Sequence, residues 1–202
     1  MNYLAHVYLA RHDADAMLGA LLGDFVFGTS GPDAWPEPIR GEILRHRRID
    51  GYTDAHPAVV AVRERFPDGR RRYAGIALDV YFDHCLARDW ARWSTEPLDA
   101  FSARFYAHLL ANRARLPDRL RAIAPLMARH DWFGSYRERT SVDRAVARIA
   151  TRLSRNGDRL VACLDDLARH EAAAAAAFDA LFPALVAFVD AERAASPQQP
   201  QP

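Results

Sequence analysis

Apolar residues recur along this chain at three- and four-residue intervals, and no stretch shows the two-residue alternation of a strand. Leu4, Val7 and Tyr8 predict a short amphipathic helix over 2–11, with His6 inside it. Asp13 or Asp15 can cap the next helix, which carries Met17, Leu18, Leu21, Leu22, Phe25 and Val26 and closes near Gly28. Gly19 and Gly23 are four apart and permit a close helix contact or backbone approach. Gly31, Pro32, Pro36 and Pro38 make 29–38 a loop. A third helix should start about Glu37 and carry Ile39, Ile43, Leu44 and Ile49. Its end lies between Gly51 and His56, because Pro57 disfavours helical geometry at the residue before it. Pro57 in turn fits the first turn of a short helix to Phe66.

After a Pro67-Asp68-Gly69 turn, a long helix from Arg70 to about Trp90 buries Ala74, Ala77, Leu78, Tyr81, Phe82, Cys85 and Leu86 on one face. Thr95-Glu96-Pro97 opens a helix to about Leu116, and Pro117 opens another to about Trp132. Thr140 with Asp143 resembles a capping box before a helix ending at Asn156-Gly157. Asp158 can cap a long final helix through the alanine run at 172–177, with Pro183 as a kink or break. Residues 196–202 read as a disordered Pro/Gln tail. The prediction is an all-α fold: one compact domain over 1–195, with roughly eight helices.

Composition narrows the function. Half of the 202 residues are hydrophobic and 26% are charged, as in a globular protein. A formal charge of +1 gives no bulk electrostatic case for nucleic-acid binding. No run approaches about 20 uninterrupted apolar residues, so no membrane span is expected. The first ten residues lack a basic n-region and hold His6 in their apolar run, unlike a signal peptide. Cys85 and Cys163 form no CxxC pair, which argues against a zinc ribbon or disulfide framework and for reduced thiols in the cytoplasm. The chain has no phosphate-binding glycine loop, G-x-S-x-G elbow or H-E-x-x-H.

The stretch 46–54 concentrates the candidate chemistry. His46, Asp50 and Asp54 recur every four residues and share a helix face as far as the helix persists past Gly51. Asp79 and Asp83 do the same one helix later, with His84 one step round. Asp24 adds an acid from an otherwise apolar segment. A carboxylate in an apolar stripe is costly unless it is paired or metal-bound. Carboxylates brought together repel unless a cation resolves the charge. Asp oxygens with His nitrogens, and no thiolate, suit Mn2+, Fe2+, Zn2+ or Mg2+. An ordinary alternative stands beside this: Asp residues four from an Arg form exposed ion pairs worth a few tenths of a kcal/mol. His6 and His56 are further candidates, as a core histidine and a turn residue respectively.

The segments Met1-Asn2-Tyr3-Leu4-Ala5-His6, Leu21-Leu22-Gly23-Asp24-Phe25-Val26, His46-Arg47-Arg48-Ile49-Asp50, Thr53-Asp54-Ala55-His56-Pro57, Arg71-Arg72-Tyr73-Ala74-Gly75-Ile76 and Asp79-Val80-Tyr81-Phe82-Asp83-His84 resemble, in this order, acyl carrier protein phosphodiesterase. That family resembles the HD-type metal-dependent phosphohydrolases. The resemblance implies a helical, Mn2+-dependent enzyme that removes 4′-phosphopantetheine from the serine of holo-acyl carrier protein. Asp24, His46, Asp50, Asp79 and Asp83 then form the metal-ligand pool. Arg47 would stabilise charge on the phosphate, His84 or His56 would protonate the departing oxygen, and Asp54 would orient that histidine. Arg45 and Arg48, with Arg70, Arg71 and Arg72, would dock the acidic carrier protein. The family pattern often has lysine after Asp-Phe-Val, where this chain has Phe27. Two other readings compete: an HD-like phosphohydrolase acting on a nucleotide or other small phosphodiester, and a non-catalytic helical interaction protein.

Overall fold

The computed structural model describes residues 1–28 and 31–195, so the expected tail at 196–202 lies outside the described residues, as do two positions of the expected 29–38 loop. Among the described residues there is no strand. The described residues form eleven α-helices in the order α1 Tyr3–Leu9, α2 Ala14–Leu22, α3 Ile39–Ala55, α4 Pro57–Arg63, α5 Asp68–Arg88, α6 Leu98–Ala111, α7 Asp118–Arg129, α8 Trp132–Ser135, α9 Thr140–Ala150, α10 Gly157–Arg169 and α11 Glu171–Ala195.

α5 is the central strut. It packs against α1, α4, α9, α10 and α11. Its expected apolar face, Ala74 to Leu86, is buried throughout. Each such Leu or Phe withdrawn from water stabilises the fold by roughly 1.5–3 kcal/mol. The α2–α3 pair packs over the most extensive contact among the described helices, and its glycines let the two approach closely. A Cβ at Gly19 would lie 2.5 Å from the Ile39 carbonyl oxygen, and one at Gly23 would lie 2.2 Å from His46 Cγ. Asp13 caps α2, accepting from Ala16 N–H at 2.8 Å. Pro57 opens α4 and ends α3, as expected of a residue that fits N1 but disfavours helix before it.

Three boundaries differ from expectation. The final helix breaks at His170 rather than at Pro183, which lies inside an unbroken α11. α10 packs on α5 and α9 while α11 packs on α3, α4 and α5, so the chain must turn between them. Thr140 forms no capping box: the N-cap is Arg139, whose side chain pairs with Asp143 at 2.8 Å. Asn156 takes the left-handed conformation expected of it (φ 59°) but begins α10 instead of ending α9. The break at His170 and the short α8 raise the helix count above eight. By length and mean hydropathy α11 is apolar enough to cross a membrane. Phe178, Leu181, Phe182, Leu185 and Val189 place one of its faces in the core.

Candidate active site

Four helices converge on one group of polar side chains. α1 is short, and seven residues are too few to hold a helix in isolation. Asp83 on α5 secures it: Oδ2 accepts from Leu4 N–H at 2.8 Å and Oδ1 from Ala5 N–H at 3.0 Å. Asp83 therefore supplies the cap that Asn2 would otherwise give, while the Asn2 amide donates to Tyr136 Oη at 2.6 Å. Docked in this way, α1 lays His6 against α3. The His6 and His46 rings stack with centroids 3.7 Å apart and an interplanar angle of 12°. His6 Nε2 lies 3.0 Å from Asp50 Oδ1, and His46 Nε2 lies 3.3 Å from Asp50 Oδ2. One ligand atom from each of His6, His46 and Asp50 falls within 4.8 Å of the others.

The surrounding groups fix this trio. His46 Nδ1–H donates to the Ala20 carbonyl at 2.8 Å, which turns Nε2 toward Asp50 and Asp24. Asp24, past the end of α2, lies 3.9 Å from His46 Nε2 and keeps part of its side chain in solvent. Asp79 lies one turn before Asp83 and accepts from the Met1 ammonium at 2.9 Å; the same ammonium lies 3.3 Å from Asp50.

Burial and neighbouring charge divide the titrating groups. Burial first, then the adjacent His46, pushes His6 down to about 3, so its imidazole is neutral near pH 7. Burial opposes charge on His46, but Asp50 and Asp24 outweigh it and raise the ring above its usual value. Asp50 moves down despite its burial, because His46 and His6 hydrogen-bond to it. Burial raises Asp24 and Asp79, opposed by His46 and by the Met1 ammonium respectively. Asp83 is pushed up to about 7 by burial, against its two backbone hydrogen bonds.

Asp24, His46, Asp50 and Asp79 thus come together, and His6, only a secondary candidate in the sequence, joins them at the centre. A lone histidine on an apolar helix gives no spacing signal; its place in the Met1–His6 segment was the available clue. The other expected residues point elsewhere. Asp83 gives both oxygens to α1. His84 Nδ1–H donates to the Tyr136 carbonyl at 2.7 Å, and burial lowers its pKa. His56 sits at the α3–α4 joint against Tyr52. Asp54 pairs with Arg63 at 3.0 Å rather than orienting a histidine. Arg47 Nη2 donates to the Val26 and Gly28 carbonyls at 3.3 and 3.0 Å, holding the turn that follows Asp24.

Two imidazole nitrogens and one or two carboxylate oxygens are a donor set that suits a first-row divalent cation. With His46 Nδ1 committed to the Ala20 carbonyl, Nε2 is the nitrogen left to bind such an ion, which would displace the proton it shares with Asp50.

The relatives of the chain bear on the same segments. The family model described as acyl carrier protein phosphodiesterase matches residues 1–185. A protein of Serratia proteamaculans (strain 568) named acyl carrier protein phosphodiesterase is 36% identical over 158 residues, covering 77% of this chain and 80% of its own length. One of the same name from Enterobacter sp. (strain 638) is 36% identical over 187 residues, covering 92% of this chain and 96% of its own length. No solved structure matches. With the match running from α1 through most of α11, and so across every helix that builds the site, the chain belongs to the acyl carrier protein phosphodiesterase family, a family of phosphodiester hydrolases.

Proposed function

We propose that this protein hydrolyses the phosphodiester joining 4′-phosphopantetheine to the serine of holo-acyl carrier protein, with a divalent cation, Mn2+ first among them, held by His6, His46, Asp50 and Asp24. The observation that carries the reading is the His6–His46–Asp50 group, whose ligand atoms lie within 4.8 Å of one another. The family name supplies the carrier protein. When bound, the cation would polarise the phosphoryl oxygen and acidify the attacking water.

In the reaction, water adds to phosphorus, the bond from phosphorus to the serine oxygen breaks, and that oxygen takes up a proton. The products are apo-carrier protein and 4′-phosphopantetheine. The residues of this chain supply order. The Ala20 carbonyl fixes the His46 ring, Asp83 fixes the helix that carries His6, and Arg47 fixes the turn beside Asp24. Preorganised groups of this kind need no rearrangement as charge develops on the phosphate.

Incubation of the protein with holo-carrier protein and Mn2+ tests the reading by intact-mass spectrometry. The expected product is lighter by the phosphopantetheine moiety, and chelation should suppress its formation. An unchanged carrier mass across a series of Mn2+, Mg2+, Fe2+ and Zn2+ would refute the carrier-protein substrate.

A further inference from the structure

The arginines expected to dock an acidic partner are largely committed within the fold. Arg45 pairs with Glu42 at 2.5 Å and Arg48 with Glu192 at 2.6 Å. Arg70 grips both oxygens of Asp166, at 2.6 and 2.9 Å. Arg71 pairs with Asp68 at 2.8 Å, and Arg72 lies over the Tyr73 ring.

Three other arginines are placed differently. Arg119 on α7, Arg148 on α9 and Arg152 just past α9 are exposed, and among the described residues none of them pairs with a carboxylate. An aromatic group holds each one. Arg119 Cζ lies 5.3 Å from the Phe25 ring centroid and Arg148 Cζ 4.6 Å from that of Trp132. Arg152 lies beside Tyr3, whose hydroxyl feels its charge. A guanidinium resting on a ring keeps its charge and its hydrogen-bonding fork, and loses less entropy on meeting an anion. Tyr3, Trp132, Arg148 and Arg152 line one crevice. This crevice adjoins the candidate active site, because the Tyr3 hydroxyl lies within the field of Asp24 and its ring is 6.0 Å from Phe25. Two residues further on, Phe27 is 72% exposed on the turn that Arg47 holds. Exposed aromatics and arginines are the residue types enriched in protein interfaces.

We propose, resting on the carrier-protein reading above, that Arg119, Arg148 and Arg152 with Phe27 form the docking face for the acidic carrier protein, presenting its prosthetic arm to the His6–His46–Asp50 group. Charge complementarity selects the partner, since acyl carrier proteins are acidic and these cations have no internal counter-charge among the described residues. Their spread over α7, α9 and the segment after α9 fits a protein surface rather than one small phosphodiester. Arg48 and Arg70 instead meet carboxylates on α11 and α10, far along the chain.

The test separates docking from chemistry. Apo-carrier protein has no scissile bond, so its binding is followed by fluorescence anisotropy at low and high salt. The double variant Arg119→Glu/Arg152→Glu should weaken binding by about tenfold or more at low salt, less at high salt. Phe27→Ser should weaken it several-fold, and Arg71→Glu/Arg72→Glu should leave it within about twofold. With holo-carrier protein, KM should rise by about tenfold in the Arg119/Arg152 variant while kcat and the circular dichroism spectrum hold. Unchanged affinity, or equal weakening by the Arg71/Arg72 variant, overturns this docking face. A fall in kcat at constant KM also overturns it, by assigning the arginines to chemistry. Wild-type protein that binds apo-carrier through these residues but releases no phosphopantetheine from holo-carrier would refute the proposed function and leave the docking face standing.

Discussion

His46 and Asp50 in the middle of α3, and Asp54 and His56 at its end, offer the same two residue types but meet different neighbours. The middle of α3 faces α1 and α2, which bring a second imidazole, a carbonyl for His46 Nδ1 and another carboxylate. The end of α3 faces α4, which brings Arg63 to Asp54 and leaves His56 at a chain joint. α5 repeats the contrast: Asp79 meets an ammonium group and Asp83 meets two backbone N–H groups. Spacing puts groups on one face, but the element packed there decides whether they form a site, a latch or a surface pair.

The strongest way to break the contrast is to delete the middle of the stripe. His46→Ala and Asp50→Ala should each lower turnover of holo-carrier protein by more than about a hundredfold, with the helical circular dichroism retained. Turnover within a few-fold of wild type would remove that residue from the site.

Asp83 tests the latch. Burial raises its pKa from 3.8 to about 7, so between these values the folded state holds a proton that the unfolded state releases. Its contribution to stability is fully present below about pH 4 and is lost as pH rises toward 7, at roughly 1.4 kcal/mol per pH unit crossed. Asp83→Asn removes this slope. The stability advantage of wild type over the variant should therefore shrink by a few kcal/mol between pH 4 and pH 8. Urea midpoints at both pH values check it, and a constant offset would count against the assignment.

Gly23→Ala sharpens the α2–α3 contact. Its Cβ would lie 2.2 Å from His46 Cγ, so the ring or the helix must move. A loss of about 1–3 kcal/mol in stability is expected, with a drop in turnover larger than stability alone explains. Normal stability and turnover would show that His46 tolerates displacement. The smallest effect belongs to the end of the stripe. Asp54→Ala removes an exposed pair with Arg63 and should change stability by less than about 1 kcal/mol. A large loss of activity in that variant would return Asp54 to the site.

Local rules made much of this legible in advance. Pro57 marked the α3–α4 joint, Gly19 and Gly23 marked the close helix pair, and the period of α5 marked its buried face. His46 and Asp50 were legible because both residues lie on one helix, one turn apart. The misses were non-local. His6 needs α3 to become a partner, Asp83 needs α1 to become a latch, and Arg48 and Arg70 are neutralised by residues more than ninety positions away. The break at His170 left no mark either, because the residues on both sides are helix-compatible and only their packing partners differ.

The two amide protons that Asp83 accepts have a consequence for dynamics. α1 carries His6 but is too short to persist once undocked, so the site can come apart by a local opening that leaves the rest of the bundle folded. The hydrogen-exchange rates of the Leu4 and Ala5 amides measure that opening directly. Slow exchange there reports an assembled site, and their protection factors give the fraction of time the His6–His46–Asp50 group is together.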